Sequence, residues 1–374
     1  DLPVLLPEDV QFVPTGESPL VHHEGFLRAA CPRCGAASRR ETDTMDTFVD
    51  SSWYFMRFLS PHQEDRAIMT DVVNRWLPVN QYIGGVEHAI LHLLYARFIV
   101  KVFQDLGLVS FREPFERLFS QGMITRGGAK MSKSKGNVVA PDDLVRKYGP
   151  DTVRLYTLFV GPPEKDFEWD DRGVEGAYRF LQRYWRVVEE FLAAHGPAPA
   201  SPTGAWAPSG PRRELRRRVH GLVRQIVVDM DRLHLNTAVS GMMQLTNALE
   251  DYHAAGGDLA APEAAEALYL GTRLLAPLAP HTAEGAWERL GHRDSVFRAG
   301  WPEPSQEALR KDLLTLVVQV NGKVRSRVQV PADAPQEAIR AAVLADAKVG
   351  QHTEGKKVAQ VVIVPGRLVN VVAK

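Results

Sequence analysis

Cysteine is nearly missing from this chain of 374 residues: there are two, Cys31 and Cys34, in the stretch CPRCG. A disulfide across two intervening residues would constrain little, so the pair points to a reducing, cytoplasmic setting. The spacing is half of a zinc knuckle whose second half is missing. His22 and His23 could complete a set of four ligands, and a metal-free turn is the other reading. Excess charge is missing too: 45 Lys and Arg balance 45 Asp and Glu, so any nucleic-acid surface must come from local patches. No apolar run approaches the ~20 residues that span a bilayer, so no membrane association is expected. The opening DLPVLLPEDV has neither an initiator Met nor a basic stretch. That argues against a signal peptide and for a piece of a longer polypeptide or a processed product.

Three regions separate along the chain. Residues 1–170 mix short apolar runs, glycine-rich turns and helices, the pattern of an α/β layer arrangement. Residues 171–302 read as an all-helical bundle. In GVEGAYRFLQRYWRVVEEFL, Ala177, Phe180, Leu181, Tyr184, Val187, Val188 and Phe191 recur at intervals of three and four, one face of a helix. The stretch GPAPASPTGAWAPSGP reads as a loop between helices. The period resumes with Leu215, Val219, Leu222, Ile226, Met230 and Leu233, and again in LNTAVSGMMQLTNALEDY, where Asn236 is the expected N-cap. Residues 303–374 change to period two. TLVVQVNGKVRSRVQV is two β-branched runs joined by Asn321-Gly322, residue types that reach positive φ in a hairpin turn. A helix over about 335–345 and two more strands around Pro365-Gly366 complete a small ββαββ domain.

What is locally abundant is lysine. GGAKMSKSKGN, Gly127 to Asn137, sets three lysines and two serines between glycines, with one methionine as its only large apolar side chain. Ammonium groups and hydroxyls suit phosphate oxygens, and flanking glycines let backbone N–H groups approach. Such a loop could clamp the triphosphate of ATP and stabilise charge as pyrophosphate leaves. A solvated basic loop is the alternative. It is not a Walker A loop, since G-x-x-x-x-G-K-[ST] occurs nowhere in the chain. APDDLVRKYGPDTVRLYTLF follows it with helical periodicity and a capping Asp.

YIGGVEHAILHLLYARFIVKVFQDLG reads as a buried helix entered through Gly84-Gly85 and closed at Gly107. Val86, Ile90, Leu94, Phe98, Val102 and Leu106 fall every fourth residue, and Leu91, Tyr95 and Ile99 make a second side apolar. Glu87 and His88 would then lie in its first turn, where unpaired N–H groups favour polar ligands. Two rivals stand beside a substrate pocket here: a structural histidine, and a metal-dependent hydrolase using Glu87, His88 and His92.

The order Lys130-Met131-Ser132-Lys133-Ser134 resembles the signature of class I aminoacyl-tRNA synthetases. ETDTMDTFVDSSWYFMRFLSP, YIGGVEHAILHLLYARF, DFEWDDRGVEGAYRFLQRYW and LNTAVSGMMQLTNALEDY are similar to the bacterial leucyl-tRNA synthetases, and the resemblance runs essentially the whole length. It implies ligation of leucine to tRNA(Leu) with ATP and Mg²⁺, in the cytoplasm. By it, Lys130 and Lys133 hold the triphosphate and stabilise the transition state, with Met131, Ser132 and Ser134 beside them. Gly84, Gly85, Glu87, Met123 and Ile124 would contact the nucleotide, and Ser51, Tyr54 and His88 would line the leucine pocket. Arg212, Arg213, Arg216, Arg217 and Arg224, otherwise a solvated helix face, become contacts to tRNA phosphate, joined by Lys323 and Arg325.

The second signature of class I enzymes, H-x-G-H, does not occur in the sequence, nor does an inserted editing domain. The expectation is therefore an α/β chain: the C-terminal half of a class I, Rossmann-like catalytic domain, then a tRNA-binding helical bundle and a small α+β domain. Its partner would be the missing N-terminal half. The alternative is a non-catalytic tRNA-binding subunit or fragment.

Overall fold

The computed structural model describes residues 3–13, 16–132, 135–196, 206–207, 209–310, 313–332 and 334–374. They form two compact units, Asp1–Met123 and Ile124–Lys374.

In the first unit, helix α1 (Glu24–Leu27) runs into an antiparallel hairpin of β1 (Arg28–Ala30) and β2 (Ala37–Arg39). CPRCG is the turn of that hairpin, closed by the Cys31 N–H on Ala36 O at 2.8 Å. Short helices α2 (Thr47–Ser51), α3 (Tyr54–Arg57) and α4 (Thr70–Trp76) lead to strand β3 (Tyr82–Gly85), helix α5 (His92–Asp105) and strand β4 (Leu118–Gln121). Strands β3 and β4 pair in parallel, so α5 belongs to a β–α–β crossover, the unit from which doubly wound sheets are built. The core gathers Phe55, Met56, Ile68, Val73, Ala96, Val100 and Val109.

Two expectations change here. The helix begins at His92, not at Val86. Gly84 and Gly85 end strand β3, Val86–Ile90 forms a 3₁₀ turn, and Leu91 breaks the run with φ −113° and ψ −111°. Pairing with β4 holds the glycines extended, which pushes the helix start downstream. Nor is α5 buried all round. Leu93, Ala96 and Val100 are buried, whereas Leu94 and Phe98 are 57% and 63% exposed, as are Val86 and Ile90 of the preceding turn, at 63% and 77%.

The second unit opens with the hairpin β5 (Ile124–Arg126) and β6 (Ala129–Lys130), then α6 (Pro141–Tyr148), α7 (Pro150–Phe159) and β7 (Phe167–Glu168), which lies parallel to β5. Gly149, at φ 84°, separates the two helices. The expected capping Asp does not cap: Ala140 takes that position, and Asp142 and Asp143 fill the first turn, where negative charge is favoured. The bundle follows as α8 (Asp171–His195), α9 (Gly210–Asp231), α10 (Leu235–Ala254), α11 (Pro262–Leu275) and α12 (Pro280–Arg289). The expected apolar face of α8, Ala177 to Phe191, is buried throughout, as are Leu215, Val219, Leu222 and Ile226 of α9. Each such large side chain contributes about 1.5–3 kcal/mol. Leu155 and Tyr156 of α7 sit in the same core, so the bundle shares it with residues before 170. Asn236 lies inside α10, whose N-cap is His234, because Leu233 at φ 58° makes the reversal one step earlier. The proline-rich stretch after Gly196 lies largely outside the described residues.

The C-terminal sheet has the order β10-β11-β8-β9, built from β8 (Leu313–Val320), β9 (Lys323–Pro331), β10 (Val358–Val364) and β11 (Leu368–Ala373), with β11 parallel to β8. Asn321 and Gly322 make the expected turn at φ 51° and 79°. Between the hairpins are two helices, not one: α13 (Gln336–Leu344) and α14 (Ala347–Thr353). Seven residues containing a glycine are too few for periodicity to show, and α14 is instead announced by its cap, Asp346, which accepts from the Val349 N–H at 3.0 Å. Among the described residues no helix is long and apolar enough to cross a membrane.

Asp151 of α7 is 6% exposed and caps α12 from outside, accepting from His281 Nδ1 at 2.9 Å and from the Thr282 N–H at 2.6 Å. Burial pushes its carboxyl up, but these donors outweigh burial and hold it below the ordinary aspartate value. Asp151→Asn should therefore cost about 1.5–3 kcal/mol in urea unfolding at neutral pH. The unfolded chain takes up the proton first, so the wild-type advantage is full above pH about 3.9 and shrinks as pH falls below it. A difference that does not shrink on acidification would show that the carboxylate charge is not what holds α12.

Candidate functional site

In the first unit, β3, α2, α3 and the start of α5 bring hydroxyls and imidazoles together. His92 is 8% exposed. Its Nε2 lies 2.7 Å from the Tyr82 hydroxyl and its Nδ1 3.4 Å from Ser51 Oγ, and Tyr82 in turn meets Tyr54 at 2.8 Å. Tyr82 is fixed by stacking on Phe115, with ring centroids 3.7 Å apart. Burial and then the Tyr54 hydroxyl push the Tyr82 phenol well up, so it stays a donor. Burial, with His88 nearby, pushes His92 down towards the neutral ring. A phenol donating to Nε2 leaves the ring proton on Nδ1, facing Ser51.

His88 lies beside this chain, its ring centroid 6.3 Å from that of His92 and 6.1 Å from that of Phe48. Its Nδ1 is buried with no hydrogen-bond partner among the described residues, an atom that a bound substrate can satisfy. Glu87 folds back over Gly85, its carboxylate lying where a Cβ at that position would stand. Ser51, Tyr54 and His88 are thus gathered around Tyr82 and His92, with Glu87 next to His88 in the turn. The hydrogen bonds of Tyr82 and His92 to these groups were not legible in the sequence. The tyrosine sits in an apolar-looking strand, and only the β3–β4 register shows that it turns towards His92.

A metal site does not form from these groups. Both ring nitrogens of His92 are engaged, and among the described residues no three His, Cys, Asp or Glu side chains gather as ligands. Cys31 and Cys34 are free thiols without a third and fourth ligand there. His23 accepts from the Phe26 N–H at 2.9 Å and lies 2.9 Å from Asp9, and His22 pairs with Glu17.

The lysine segment lies on the hairpin of the second unit. Met123 closes the first unit and Ile124 opens β5. Lys130 is exposed on β6, and Met131 and Ser132 are half-buried. Lys133 and Ser134 lie outside the described residues. The Gly127-Gly128 turn donates both N–H groups to the Glu168 carboxylate, and Asn137 accepts from the Ser132 N–H at 2.9 Å.

The arginines of α9 divide. Arg224 is exposed, Arg212 pairs with Glu263 at 2.8 Å, and Arg217 pairs with Glu214. Arg213 and Arg216 are 6% and 4% exposed and do not present themselves to phosphate, which corrects the expectation for both. Arg213 donates to the carbonyls of Glu307, Ala308 and Arg310, and Arg216 lies between Glu266, Glu307 and the Trp206 ring. The signal was in the spacing: Arg216 falls three and seven residues before the buried Val219 and Val223, on the inward face. Lys323 and Arg325 are exposed on β9.

Residues 30–170 match the family of tRNA synthetases class I (I, L, M and V), and residues 212–340 match the anticodon-binding domain of tRNA ligase. The whole chain is 51% identical to a leucine–tRNA ligase of Syntrophobacter fumaroxidans and 48% identical to one of Thermotoga petrophila. It aligns over its full length, at 35% identity and a TM-score of 0.85, with the LeuRS–tRNA–LeuAMS ternary complex of Agrobacterium radiobacter K84, covering 48% of that chain.

Residues 30–170 thus carry the likeness to the class I tRNA synthetases, and residues 212–340 that to the anticodon-binding domain. It spans about half the length of the curated relatives it matches, 45% of each of these two. A methionyl-tRNA synthetase of Mycobacterium tuberculosis, solved with methionyl-adenylate, shares the fold at 19% identity over 67% of the chain and 52% of its own, with a TM-score of 0.52. The first part is accordingly Rossmann-like α/β, and the helical region from residue 212 matches the anticodon-binding domain.

By NMR the His92 ring should titrate below the ordinary imidazole value of about 6.5, and stability should fall as pH drops through that value, because the unfolded ring binds the proton first. An inflection at or above it would remove the desolvated neutral ring from this site.

Proposed function

We propose that the chain is a portion of a leucine–tRNA ligase, supplying part of the site where leucine and ATP give leucyl-adenylate and pyrophosphate, and part of the surface that receives tRNA(Leu). The observation that carries the reading is that the chain matches over its whole length, at 51% identity, a part amounting to 45% of a leucine–tRNA ligase. Ser51, Tyr54, His88 and Glu87, with Tyr82 and His92 behind them, would orient the ammonium and carboxylate of leucine beside the Phe48 and Tyr95 rings, which stack 6.2 Å apart. Lys130 and Lys133 would hold the triphosphate, with Met131, Ser132 and Ser134 completing the segment and the backbone at Gly84, Gly85, Met123 and Ile124 meeting the adenosine.

The leucine carboxylate attacks the α-phosphorus, the bond to the bridging oxygen breaks, and pyrophosphate leaves. This needs positioning and charge stabilisation but no protein nucleophile. Mg²⁺ would ride on the ATP phosphates, since it is commonly held by one or two carboxylates and substrate oxygens, not by a dedicated cage. The leucyl group then passes to the terminal ribose of the tRNA. Arg212, Arg217, Arg224, Lys323 and Arg325 are the side chains offered to tRNA phosphate.

The partner is the rest of the synthetase polypeptide. The exposed Leu94 and Phe98 of α5, with Val86 and Ile90 exposed in the turn before it and β3 and β4 paired as two parallel strands, suit a covering layer from the remaining nucleotide fold. A non-catalytic tRNA-binding role is the second reading, favoured by the match of residues 212–340 to an anticodon-binding domain.

The chain alone should show no leucine-dependent ATP–pyrophosphate exchange and should gain it when the remaining polypeptide is added. Exchange by the chain alone would contradict the partnership. Tritiated ATP bound by neither the chain nor the mixture would favour the second reading. In the active mixture, Lys133→Ala should slow activation by about 10²–10³-fold, the usual loss on removing one preorganised donor. An unchanged rate would strip that lysine of its role. Leu94→Asp with Phe98→Asp should abolish complementation while leaving the circular dichroism of the chain intact. Undiminished complementation would place the contact elsewhere.

A further inference from the structure

Two side chains that no motif names are tied to the lysine segment. We propose that Glu168 and Asn137 are positioning residues. Glu168 fixes the Gly127-Gly128 turn and Asn137 fixes the two sides of the Lys130–Ser132 run, so that the segment meets its nucleotide as a preformed hairpin. The inference rests on the reading of that segment as ATP-binding, and it names groups that act on the segment and do not touch the phosphates.

The geometry begins with backbone. Gly127 and Gly128 stand at φ 66° and 72°, two consecutive left-handed residues whose N–H groups converge on one side. A Cβ at either position would meet nothing within 4 Å, so glycine is required by the dihedral and not by crowding. Both N–H groups donate to Glu168 Oε1, that of Gly128 at 3.2 Å, while Thr125 Oγ1 lies 2.5 Å from Oε2. Three donors on one carboxylate is the arrangement of an anchored anion. They hold its carboxyl below the usual glutamate range, the Thr125 hydroxyl first.

Glu168 is itself held in register. Thr125 pairs with it across the parallel β5–β7 ladder, and the Trp169 N–H donates to Thr125 O at 2.9 Å. Three residues on, α8 begins at Asp171, whose carboxylate meets Arg126 at 3.3 Å. The hairpin is thus bound to the first turn of the longest bundle helix.

Asn137 works from the other end. Its Oδ1 accepts from the Ser132 N–H at 2.9 Å, and its amide nitrogen faces the carbonyls of Arg126, Ala129 and Lys130 at 3.2, 3.4 and 3.3 Å. One side chain therefore ties the outgoing strand, the lysine and the returning serine together. An amide is suited to this because it both accepts and donates, and a carboxylate would face three carbonyl oxygens with repulsion. A segment shaped in advance loses less conformational freedom when it closes on a triphosphate.

The first test needs only this chain. Amide hydrogen exchange at neutral pH should speed up about tenfold or more at Gly127 and Gly128 in Glu168→Ala, and at Ser132 in Asn137→Ala, with bundle amides unchanged. Exchange rates equal to wild type at these amides would overturn the proposal.

The second test uses the mixture reconstituted with the remaining synthetase polypeptide. The KM for ATP should rise about tenfold in Glu168→Ala, with the KM for leucine within about twofold, and Glu168→Gln should recover part of the loss. Asn137→Asp, nearly isosteric, should be worse than Asn137→Ala, an order that a space-filling role would reverse. ATP and leucine constants rising together, or the reversed order at Asn137, would overturn it as well. If the wild-type mixture shows no pyrophosphate exchange, the ATP-binding reading fails by itself, and the hydrogen-exchange result alone decides whether these two residues shape the segment.

Discussion

A polar group taken out of water must find its partner inside the protein, and in this chain those pairings decide how the elements meet. Asp151 joins α7 to the first turn of α12. Arg213 reads the carbonyls of residues 307, 308 and 310 and so fixes the segment that leads into the C-terminal sheet. Arg216 joins α9 to Glu266 of α11 and to Glu307, while His220 takes the Ser305 N–H at 3.0 Å. Apolar burial supplies the larger share of stability but is non-directional. Removing one partner from such a pairing leaves a buried charge or donor unanswered, which is why these few contacts hold the helices in one arrangement.

The same constraint acts around His92. The ring is buried among aromatic side chains, and burial, with His88 nearby, favours its neutral form between Tyr82 and Ser51. That arrangement orients the donors and acceptors through side-chain hydrogen bonds alone. The lysine hairpin shows the opposite economy. Its lysine side is exposed, and its shape comes from backbone groups answered by Glu168 and Asn137, so charge is presented to solvent on a prepared frame.

The sequence carried the bundle almost completely. Period 3.6 over 20 or more residues is hard to mistake, and the face from Ala177 to Phe191 is buried as read. The Asn321-Gly322 hairpin was equally plain, because only a few residue types accept two positive φ values. What failed was local or relational. The helix start at His92 depends on β4 pairing with Gly84 and Gly85, a partner more than 30 residues downstream. Two of the α9 arginines read as a phosphate-binding face, Arg213 and Arg216, turn inward, because Glu266 and the Glu307–Arg310 segment come from distant parts of the chain. Periodicity gives an apolar face of α5 but not what covers it.

Read alone, the amino-acid order determined the element types, the two long repeating patterns and the lysine-rich segment, since each depends on neighbours within a few residues. Tertiary structure decided which arginines are spent inward, that Tyr82 completes a relay through His92, and that Glu168 and Asn137 grip the lysine hairpin. Those depend on hydrogen bonds between groups up to almost a hundred residues apart, whose geometry is set only when the strands and helices have packed.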